Sequence, residues 1–246
     1  MKNYTYIILI IFCLLLGIFI FFTPSEQQKD TPSVIHVGIL PDENLNKLYQ
    51  RYNPLLKYLS KEIGIEFKLV VPSSYTELLQ MFGNNKVDLA YFGGLTFLKA
   101  NLLYSAEPLV MREVDTRFTS WFIVNKDNKA RNLSELKNKS FAFGSALSTS
   151  GHLMPRYFMK LEKKIIPEDF FTKIHYSITH DSTVYLVRNG VVDLGVANSE
   201  IIKRMFNDGR LKKDDIRVLW ETPPYPDYVW AIHNYFNDKL KTALRN

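Results

Sequence analysis

The sequence is poor in cysteine: among its 246 residues only Cys13 is one, and it lies in an apolar run near the start of the chain. The rest of the chain therefore has no disulfide bonds, no thiolate metal ligands and no cysteine nucleophile. It also lacks the His-x-x-x-His and Glu-x-x-His spacings of metal sites, and the lysine-ended glycine loop that binds nucleotide phosphates. These absences argue against a metalloenzyme or a nucleotide-binding protein, and no cofactor is indicated.

Long hydrophobic runs are equally scarce, since only residues 7–22 form one, with Lys2 before it. A run of about 16 residues is short for a spanning helix and long for the core of a signal peptide. We expect residues 1–24 to be a signal peptide or a retained membrane anchor, and residues 25–33 a polar linker. The anchor is favoured because no small-x-small cleavage site stands out. In both cases the body works outside the cytoplasmic membrane, in the periplasm or at the cell surface.

The chain is moderately basic, with 31 Lys and Arg against 25 Asp and Glu, a formal net charge of +6. The basic residues are scattered rather than arranged in a stripe with aromatic side chains, which argues against nucleic acid as a partner. A modest positive charge helps to attract an anion or an anionic membrane surface, although it also serves as ordinary solubilising charge.

Apolar runs of strand length alternate with amphipathic stretches of helix length through the body. The clearest unit is a strand at 34–40 followed by a helix at 45–63, whose apolar stripe stops at Gly64. Further strands are predicted at 66–71, 87–92, 118–125, 140–144 and 191–196, and helices up to Met81, after 93–94, at 151–163 and at 181–188. Repeated β–α units of this length predict an α/β fold with largely parallel sheets and helices on both faces.

Such sheets bind ligands at the carboxyl ends of their strands, so the loops there are the candidate site. One loop carries three hydroxyl residues in a row, Ser148, Thr149 and Ser150, followed by Gly151 at a predicted helix start. A helix N-terminus offers unpaired N–H groups and partial positive charge, and the glycine allows close approach. One hydroxyl suffices as a cap, so three favour an anion site.

Six segments, read in order, resemble the substrate-binding proteins of phosphate, phosphite and phosphonate ABC importers. They are residues 38–44, 87–94, 118–120, 148–153, 180–181 and 222–230, which span nearly the whole body. The resemblance implies a two-lobed periplasmic binding protein fold of type II, in which a hinge closes the lobes on a ligand. It also implies an extracytoplasmic importer component that binds a small phosphorus oxyanion and has permease and ATPase subunits as partners.

The same resemblance implies how the body divides. Residues 34–117 with 227–246 would form the first lobe and residues 118–226 the second, with hinge crossings at both ends of the second. Residues 240–246 read as a helix just begun, where members of the family usually continue. We therefore expect a weakened first lobe.

The ligand positions of the family fall on a defined set of residues: Tyr75, Phe118, Ser148, Thr149, Ser150, His180, Glu200 and Asp227. Tyr91 is added because it begins the loop at Gly93. Phe118 stands where tyrosine is frequent, which removes one hydroxyl donor, and Glu200 matches a position that meets aminoalkyl tails. Asp227 would accept a hydrogen bond from a protonated P–OH group and repel a fully ionised sulfate.

Other interpretations stay open at this point. Ser148, Thr149 or Ser150 could form a hydrolytic triad with His180 and Asp227, but the Gly-x-Ser-x-Gly turn is missing, so we expect no enzyme. An anchored protein of this fold could signal to a partner kinase instead of serving a permease. A sulfonate or another organic anion could be the ligand, although a sulfonate has no proton to share with Asp227.

Overall fold

The computed structural model describes residues 32–245. The predicted leader at 1–24 and nearly all of the predicted linker at 25–33 lie outside this range. Within it, no helix is both long enough and apolar enough to cross a membrane. The described chain forms two five-stranded sheets, and we name the part built on each sheet lobe 1 and lobe 2.

Lobe 1 contains the start and the end of the described chain. Its strands are β1 Val34–Ile39, β2 Glu66–Val70, β3 Leu89–Phe92, β4 Ala106–Val110 and β10 Val229–His233, in the order β2-β1-β3-β10-β4. Its helices are α1 Leu45–Ile63, α2 Tyr75–Gly83, α3 Gly94–Tyr104, the short α4 Glu113–Thr116 and α9 Asp238–Arg245.

Lobe 2 is formed by the middle of the chain. Its strands are β5 Ser120–Asn125, β6 Ser140–Phe143, β7 Lys173–Tyr176, β8 Leu194–Asn198 and β9 Ile216–Glu221, in the order β7-β6-β8-β5-β9. A 3-10 turn covers Leu133–Leu136, and a π turn at Thr149–Leu153 runs directly into α5 Met154–Lys163. The remaining helices are α6 Pro167–Phe170, α7 His180–Arg188 and α8 Ser199–Asn207.

The two sheets have the same plan. β1 pairs in parallel with β2 and β3, and β6 pairs in parallel with β7 and β8. In each lobe one further inner strand, β10 or β5, is antiparallel to both of its neighbours. The predicted α/β fold with two mixed sheets is confirmed. The expectation of largely parallel sheets is confirmed for four of the five strands in each sheet; only β5 or β10, each of which follows a chain crossing, runs against the others.

The two crossings between the lobes lie side by side. The backbone of Phe118 pairs with that of Tyr225, with the two N–H···O bonds at 2.8 and 2.9 Å. Ser120 and Thr222 form the next pair, since each backbone N–H donates to the other residue. Because Phe118 belongs to this isolated bridge, β5 begins at Ser120 and not at 118 as predicted.

Helix α1 shows how local sequence sets an element. The Asn44 side chain accepts the N–H of Asn46 at 3.0 Å, and the left-handed Gly64, with φ of 76°, ends the helix. The buried residues Leu48, Tyr52 and Leu56 form one stripe that packs into the core of lobe 1. The predicted bounds of this helix are confirmed.

Candidate functional site

The candidate residues lie where the two lobes face each other. In lobe 1 the loops after β1 and β3 lead into α1 and α3; in lobe 2 the loops after β6, β7 and β8 lead into the π turn, α7 and α8. Hydrogen bonds join the loops of lobe 1 to those of lobe 2. The Leu95 N–H donates to Thr149 Oγ1 at 3.0 Å, and the His180 N–H donates to the Asp42 carbonyl at 2.8 Å. The lobes are therefore in contact around the site.

The three consecutive hydroxyls differ in their hydrogen bonding. Ser148 caps the helical segment, since its Oγ accepts the Gly151 N–H at 2.9 Å. Thr149 accepts the Leu95 N–H from lobe 1, as described above. Ser150 is fully buried, and its Oγ has no hydrogen-bond partner within the described chain. Ser150 is thus the hydroxyl that a ligand can engage.

Gly151 lets the helical segment approach the end of β6 closely. Helical conformation begins at Thr149, before the predicted start at 151, in a π turn where the Leu153 N–H donates to the Ser148 carbonyl at 3.0 Å. A methyl group at Gly151 would lie 3.0 Å from Gly144 Cα and 2.9 Å from His180 Cε1. Those distances are too short for a side chain, so only glycine fits here.

His180 is the first residue of α7 and is buried. Its Nδ1 accepts the Asn198 N–H at 3.2 Å, so the proton of the neutral ring is on Nε2. Burial lowers the pKa of His180 to about 3, which keeps the ring neutral. Nε2 is buried and has no partner among the described residues. His180 therefore presents a fixed, uncharged N–H donor.

Asp227 lies between the second crossing and β10, and its carboxylate is buried. Its Oδ1 accepts the Gly94 N–H at 3.0 Å, whereas its buried Oδ2 has no partner in the described chain. Burial raises the pKa of Asp227 to about 6, against the opposing effects of the Gly94 N–H and the Thr149 and Ser150 hydroxyls. Ser150 is near enough to affect this pKa, although no hydrogen bond of normal geometry joins it to the carboxylate.

Sequence reasoning missed a hydrogen-bonded ring behind His180. The Asn198 side-chain amide donates to Tyr228 Oη at 3.1 Å, and that hydroxyl donates to Asp42 Oδ2 at 2.7 Å. The Asp42 carbonyl accepts from His180, which closes the ring and fixes the imidazole against both lobes. Burial raises the pKa of Asp42 to about 6. The strand-end rule that found Ser148 would have found Asp42 as well, because it follows β1.

Tyr75 is the first residue of α2, where Ser74 Oγ caps the helix by accepting the Glu77 N–H at 3.1 Å. The Tyr75 side chain is buried, and Ser148 of lobe 2 is near enough to affect the pKa of its hydroxyl. Burial, together with the nearby Asp42, raises the pKa of Tyr75 well above its ordinary value, so the hydroxyl stays protonated. The structure therefore places Tyr75 at the cleft.

Phe118 and Tyr91 lie behind the ring of Tyr228. Phe118 is buried, and its ring centroid is 5.6 Å from that of Tyr228. Tyr91 stacks on Tyr228 with centroids 5.1 Å apart, and its hydroxyl donates to Asp115 Oδ2 at 2.7 Å. Tyr91 is thus a core residue whose hydroxyl is already engaged, and the structure does not bring it together with the unpartnered groups.

Glu200 is also set apart from the group. It lies in the first turn of α8 and is partly exposed, and its Oε1 is 2.7 Å from Lys203 Nζ on the same helix. Among the described residues, no hydrogen bond or ion pair joins the Glu200 side chain to Ser150, His180 or Asp227.

The arrangement defines a class of protein. Two neutral donors from lobe 2, Ser150 and His180, and one carboxylate, Asp227, each carry a buried polar atom without a partner in the described chain, on segments where the lobes meet. Across residues 32–245, no cluster of three or more side chains suited to a metal ion occurs. Such a site can hold a small anion that has both acceptor oxygens and a proton to donate, in a protein that closes on its ligand.

Comparison with protein families agrees with this class. The family described as ABC transporter, phosphonate, periplasmic substrate-binding protein matches residues 37–246. The chain belongs to this family of periplasmic substrate-binding components of phosphonate ABC transporters. Members of the family are periplasmic, which confirms the predicted location outside the cytoplasmic membrane but does not test the predicted membrane anchor.

Named relatives include a probable phosphite-binding protein of an ABC transporter, PhnD1, from Prochlorococcus marinus, 32% identical over 90% of this chain and 78% of its own length. The phosphonates-binding periplasmic protein of Escherichia coli is 28% identical, over 84% of this chain and 62% of its own length. The solved structure of PhnD1 with methylphosphonate superposes with a TM-score of 0.81, covering 87% of this chain and 83% of that one.

Proposed function

We propose that the protein binds phosphate, phosphite or a small phosphonate between its lobes and delivers it to an ABC permease driven by an ATPase. The observation that carries the proposal is the set of three buried polar atoms without protein partners: Ser150 Oγ, His180 Nε2 and Asp227 Oδ2. Buried polar atoms are rarely left unpaired, and unpaired ones need a stated reason. A bound ligand supplies that reason.

The three atoms select the chemistry of the ligand. The Ser150 hydroxyl and the His180 N–H donate to oxygen atoms of the anion, while Asp227 Oδ2 accepts a hydrogen bond. Phosphate, phosphite and phosphonates carry an ionisable P–OH near neutral pH and satisfy all three groups at once. Sulfate and sulfonates have no such proton, and their oxygens would face the carboxylate unpaired, which disfavours them.

Two departures from the family pattern support a short ligand. Glu200, expected to meet an aminoalkyl tail, is held by Lys203. Phe118 supplies a ring without a hydroxyl, so it offers no hydrogen bond to a polar tail. We therefore favour phosphite, phosphate or methylphosphonate over 2-aminoethylphosphonate.

Family membership supports a binding role over catalysis, and an importer over a sensory protein. We propose hinge crossings at 118–120 and 222–227, because both crossings lie between the sheets and pair with each other. The lobes would then be residues 34–117 with 227–246, and residues 118–226. Retention of residues 7–22 as a membrane anchor remains a prediction about residues outside the described range.

The proposal is tested by isothermal titration calorimetry with phosphate, phosphite, methylphosphonate, 2-aminoethylphosphonate and sulfate. Ser150→Ala is the informative variant, because Ser150 Oγ has no protein partner to lose. Removing one donor from a buried anion should weaken binding roughly tenfold or more while leaving the melting temperature nearly unchanged.

The matched control is Ser134→Ala, which removes an exposed serine hydroxyl of lobe 2 and should leave binding unchanged. Tight binding of one phosphorus anion, weakened only in Ser150→Ala and with no heat from sulfate, supports the assignment and names the ligand. No binding by folded protein, or equal binding of sulfate, would refute it.

A further inference from the structure

The loop between β1 and α1 reaches lobe 2 with three consecutive residues. The Asp42 carbonyl accepts the His180 N–H, and the Asn44 N–H donates to Asp181 Oδ2 at 3.1 Å. Between them stands Glu43, whose side chain has no exposed surface. These contacts lie immediately beside His180, next to the proposed ligand site, but none of them uses an atom assigned to the ligand.

Three guanidinium groups surround the Glu43 carboxylate. Arg51, from α1 of lobe 1, is 2.5 Å from Oε2. From lobe 2, Arg204 in α8 is 3.4 Å from the same oxygen, and Arg210 just after α8 is 2.5 Å from Oε1. Burial by itself would raise the pKa of Glu43, but the arginines outweigh it and lower that pKa. The carboxylate is therefore charged at neutral pH, and two of its three ion pairs join the lobes.

Glu43 and Arg210 each also have an ion-pair partner within their own lobe, so the lobes can separate. If the lobes part, Glu43 keeps Arg51 within lobe 1, and Arg210 keeps Asp208 within lobe 2, where its Nε is 2.9 Å from Oδ1. One further pair between the lobes, Lys47 with Asp208 at 3.2 Å, lies on the more exposed rim. Glu43 and Arg210, the more buried charges, thus each keep a partner on opening, whereas Arg204, whose side chain is 32% exposed, loses its ion pair to solvent.

We propose that Glu43 is a positioning residue that latches the two lobes together and thereby sets how slowly the ligand leaves. The effect on the ligand rests on the proposed function, whereas the latch itself is a property of the two lobes. A ligand enclosed between lobes leaves only after they part, and parting breaks the bonds from Glu43 to Arg204 and Arg210. The latch acts mainly on the dissociation rate, since buried charge pairs affect dissociation and distant charges affect association.

The test compares Glu43→Gln with Glu107→Gln. Glu107 forms an ion pair with Lys241 at 2.6 Å, but both residues belong to lobe 1, so this variant removes an ion pair without touching the contact between the lobes. Lobe separation is measured by electron-electron double resonance between nitroxides at Tyr58→Cys in lobe 1 and Lys213→Cys in lobe 2, both exposed positions. Cys13, the sole cysteine of the sequence, is replaced by serine in all samples.

We expect Glu43→Gln to shift the ligand-free distance distribution toward longer distances. Its methylphosphonate dissociation rate in stopped-flow tryptophan fluorescence should rise roughly tenfold or more, with little change in association. Glu107→Gln should change neither. Wild-type protein in 1 M NaCl should shift in the same direction but less, because salt screens buried pairs only in part.

An unchanged distance distribution and dissociation rate in folded Glu43→Gln would overturn the latch. If that variant does not fold, Arg204→Gln, which removes one of the three partners, decides by the same two measurements together with the salt series. If wild-type protein binds none of the phosphorus anions, the proposed function fails. The ligand-free distances then still decide whether Glu43 holds the lobes together.

Discussion

The two lobes share a plan but differ in chemistry. In each lobe an edge strand, β2 or β7, leads to a helix that begins with a ligand-site candidate, Tyr75 in α2 and His180 in α7. In each case a hydroxyl residue, Ser74 or Thr179, caps that helix. The strand orders correspond one to one, with β10 of lobe 1 matching β5 of lobe 2.

The side chains that the lobes direct at each other are complementary rather than alike. The lobe 1 side supplies three buried carboxylates, Asp42, Glu43 and Asp227. Lobe 2 supplies neutral donors around the proposed ligand and the guanidinium groups that meet Glu43. The shared strand order of the two lobes determines which loops face each other. The residues on those loops then determine that carboxylates of lobe 1 face hydrogen-bond donors of lobe 2. A small anion with one proton can then bridge both sides.

The largest expected effect comes from breaking this complementarity with Asp227→Asn. The Gly94 N–H keeps an oxygen acceptor, but an amide N–H replaces the unpartnered Oδ2. Loss of the acceptor should weaken binding of methylphosphonate roughly a hundredfold, and sulfate should begin to bind because the charge that repels it is gone. Isothermal titration measures both, with the exposed Asp127→Asn as control. If Asp227→Asn still prefers methylphosphonate over sulfate as strongly as the unmodified protein, Asp227 does not recognise the P–OH proton of the ligand.

A change of pH should have an effect of intermediate size on affinity, because Asp227 and His180 titrate in different pH ranges. The pKa of Asp227 is raised to about 6, so its carboxylate takes up a proton, and stops accepting, as pH falls through about 6. His180, with a pKa near 3, stays neutral over the same interval. Affinity for methylphosphonate, which is a monoanion below pH 6, should fall by up to roughly tenfold per pH unit under that pH. Calorimetry from pH 7 to 5, where methylphosphonate keeps its P–OH, should show one step, absent in Asp227→Asn.

The smallest effect is expected for Glu200→Gln. This variant tests whether lobe 2 contributes only hydrogen-bond donors to the ligand site, or also a carboxylate. Because Glu200 is engaged by Lys203, its change should alter affinity for phosphite or methylphosphonate by no more than about twofold. Tight binding of 2-aminoethylphosphonate that is lost in this variant would place a second carboxylate at the site, on the lobe 2 side.

The sequence predicted the inner, strongly apolar parts of the fold best. The strand at 34–40, the helix at 45–63 and the strand at 140–144 all appear within a residue of their predicted bounds. The strands β4, β7, β9 and the inner strand β10 were missed. The first three lie at the edges of their sheets, with exposed residues such as Val110, Lys173 and Arg217 among their side chains. An edge strand buries only part of its surface, so its apolar pattern is weak.

At the site, helix-start hydroxyls and residues after strands were predictable because parallel strands bring their carboxyl ends to one edge. Asp42 and Asn198 were missed although they follow or end a strand, and Tyr228 was missed because its role depends on partners distant in sequence. Tyr91 was included for its place before Gly93, but its side chain points to Asp115, an ion-pair partner of Arg112 that no local pattern indicates.

The position of β10 has a consequence for how the chain folds. β4 has no sheet partner other than β10, and β10 follows the whole of lobe 2 in the chain. Lobe 2 takes all five of its strands from one continuous stretch, so it can assemble as soon as that stretch is complete. The sheet of lobe 1 must wait for its last strand across a long loop closure, which is slow. A chain emerging from a ribosome or a membrane pore therefore completes its middle before its beginning.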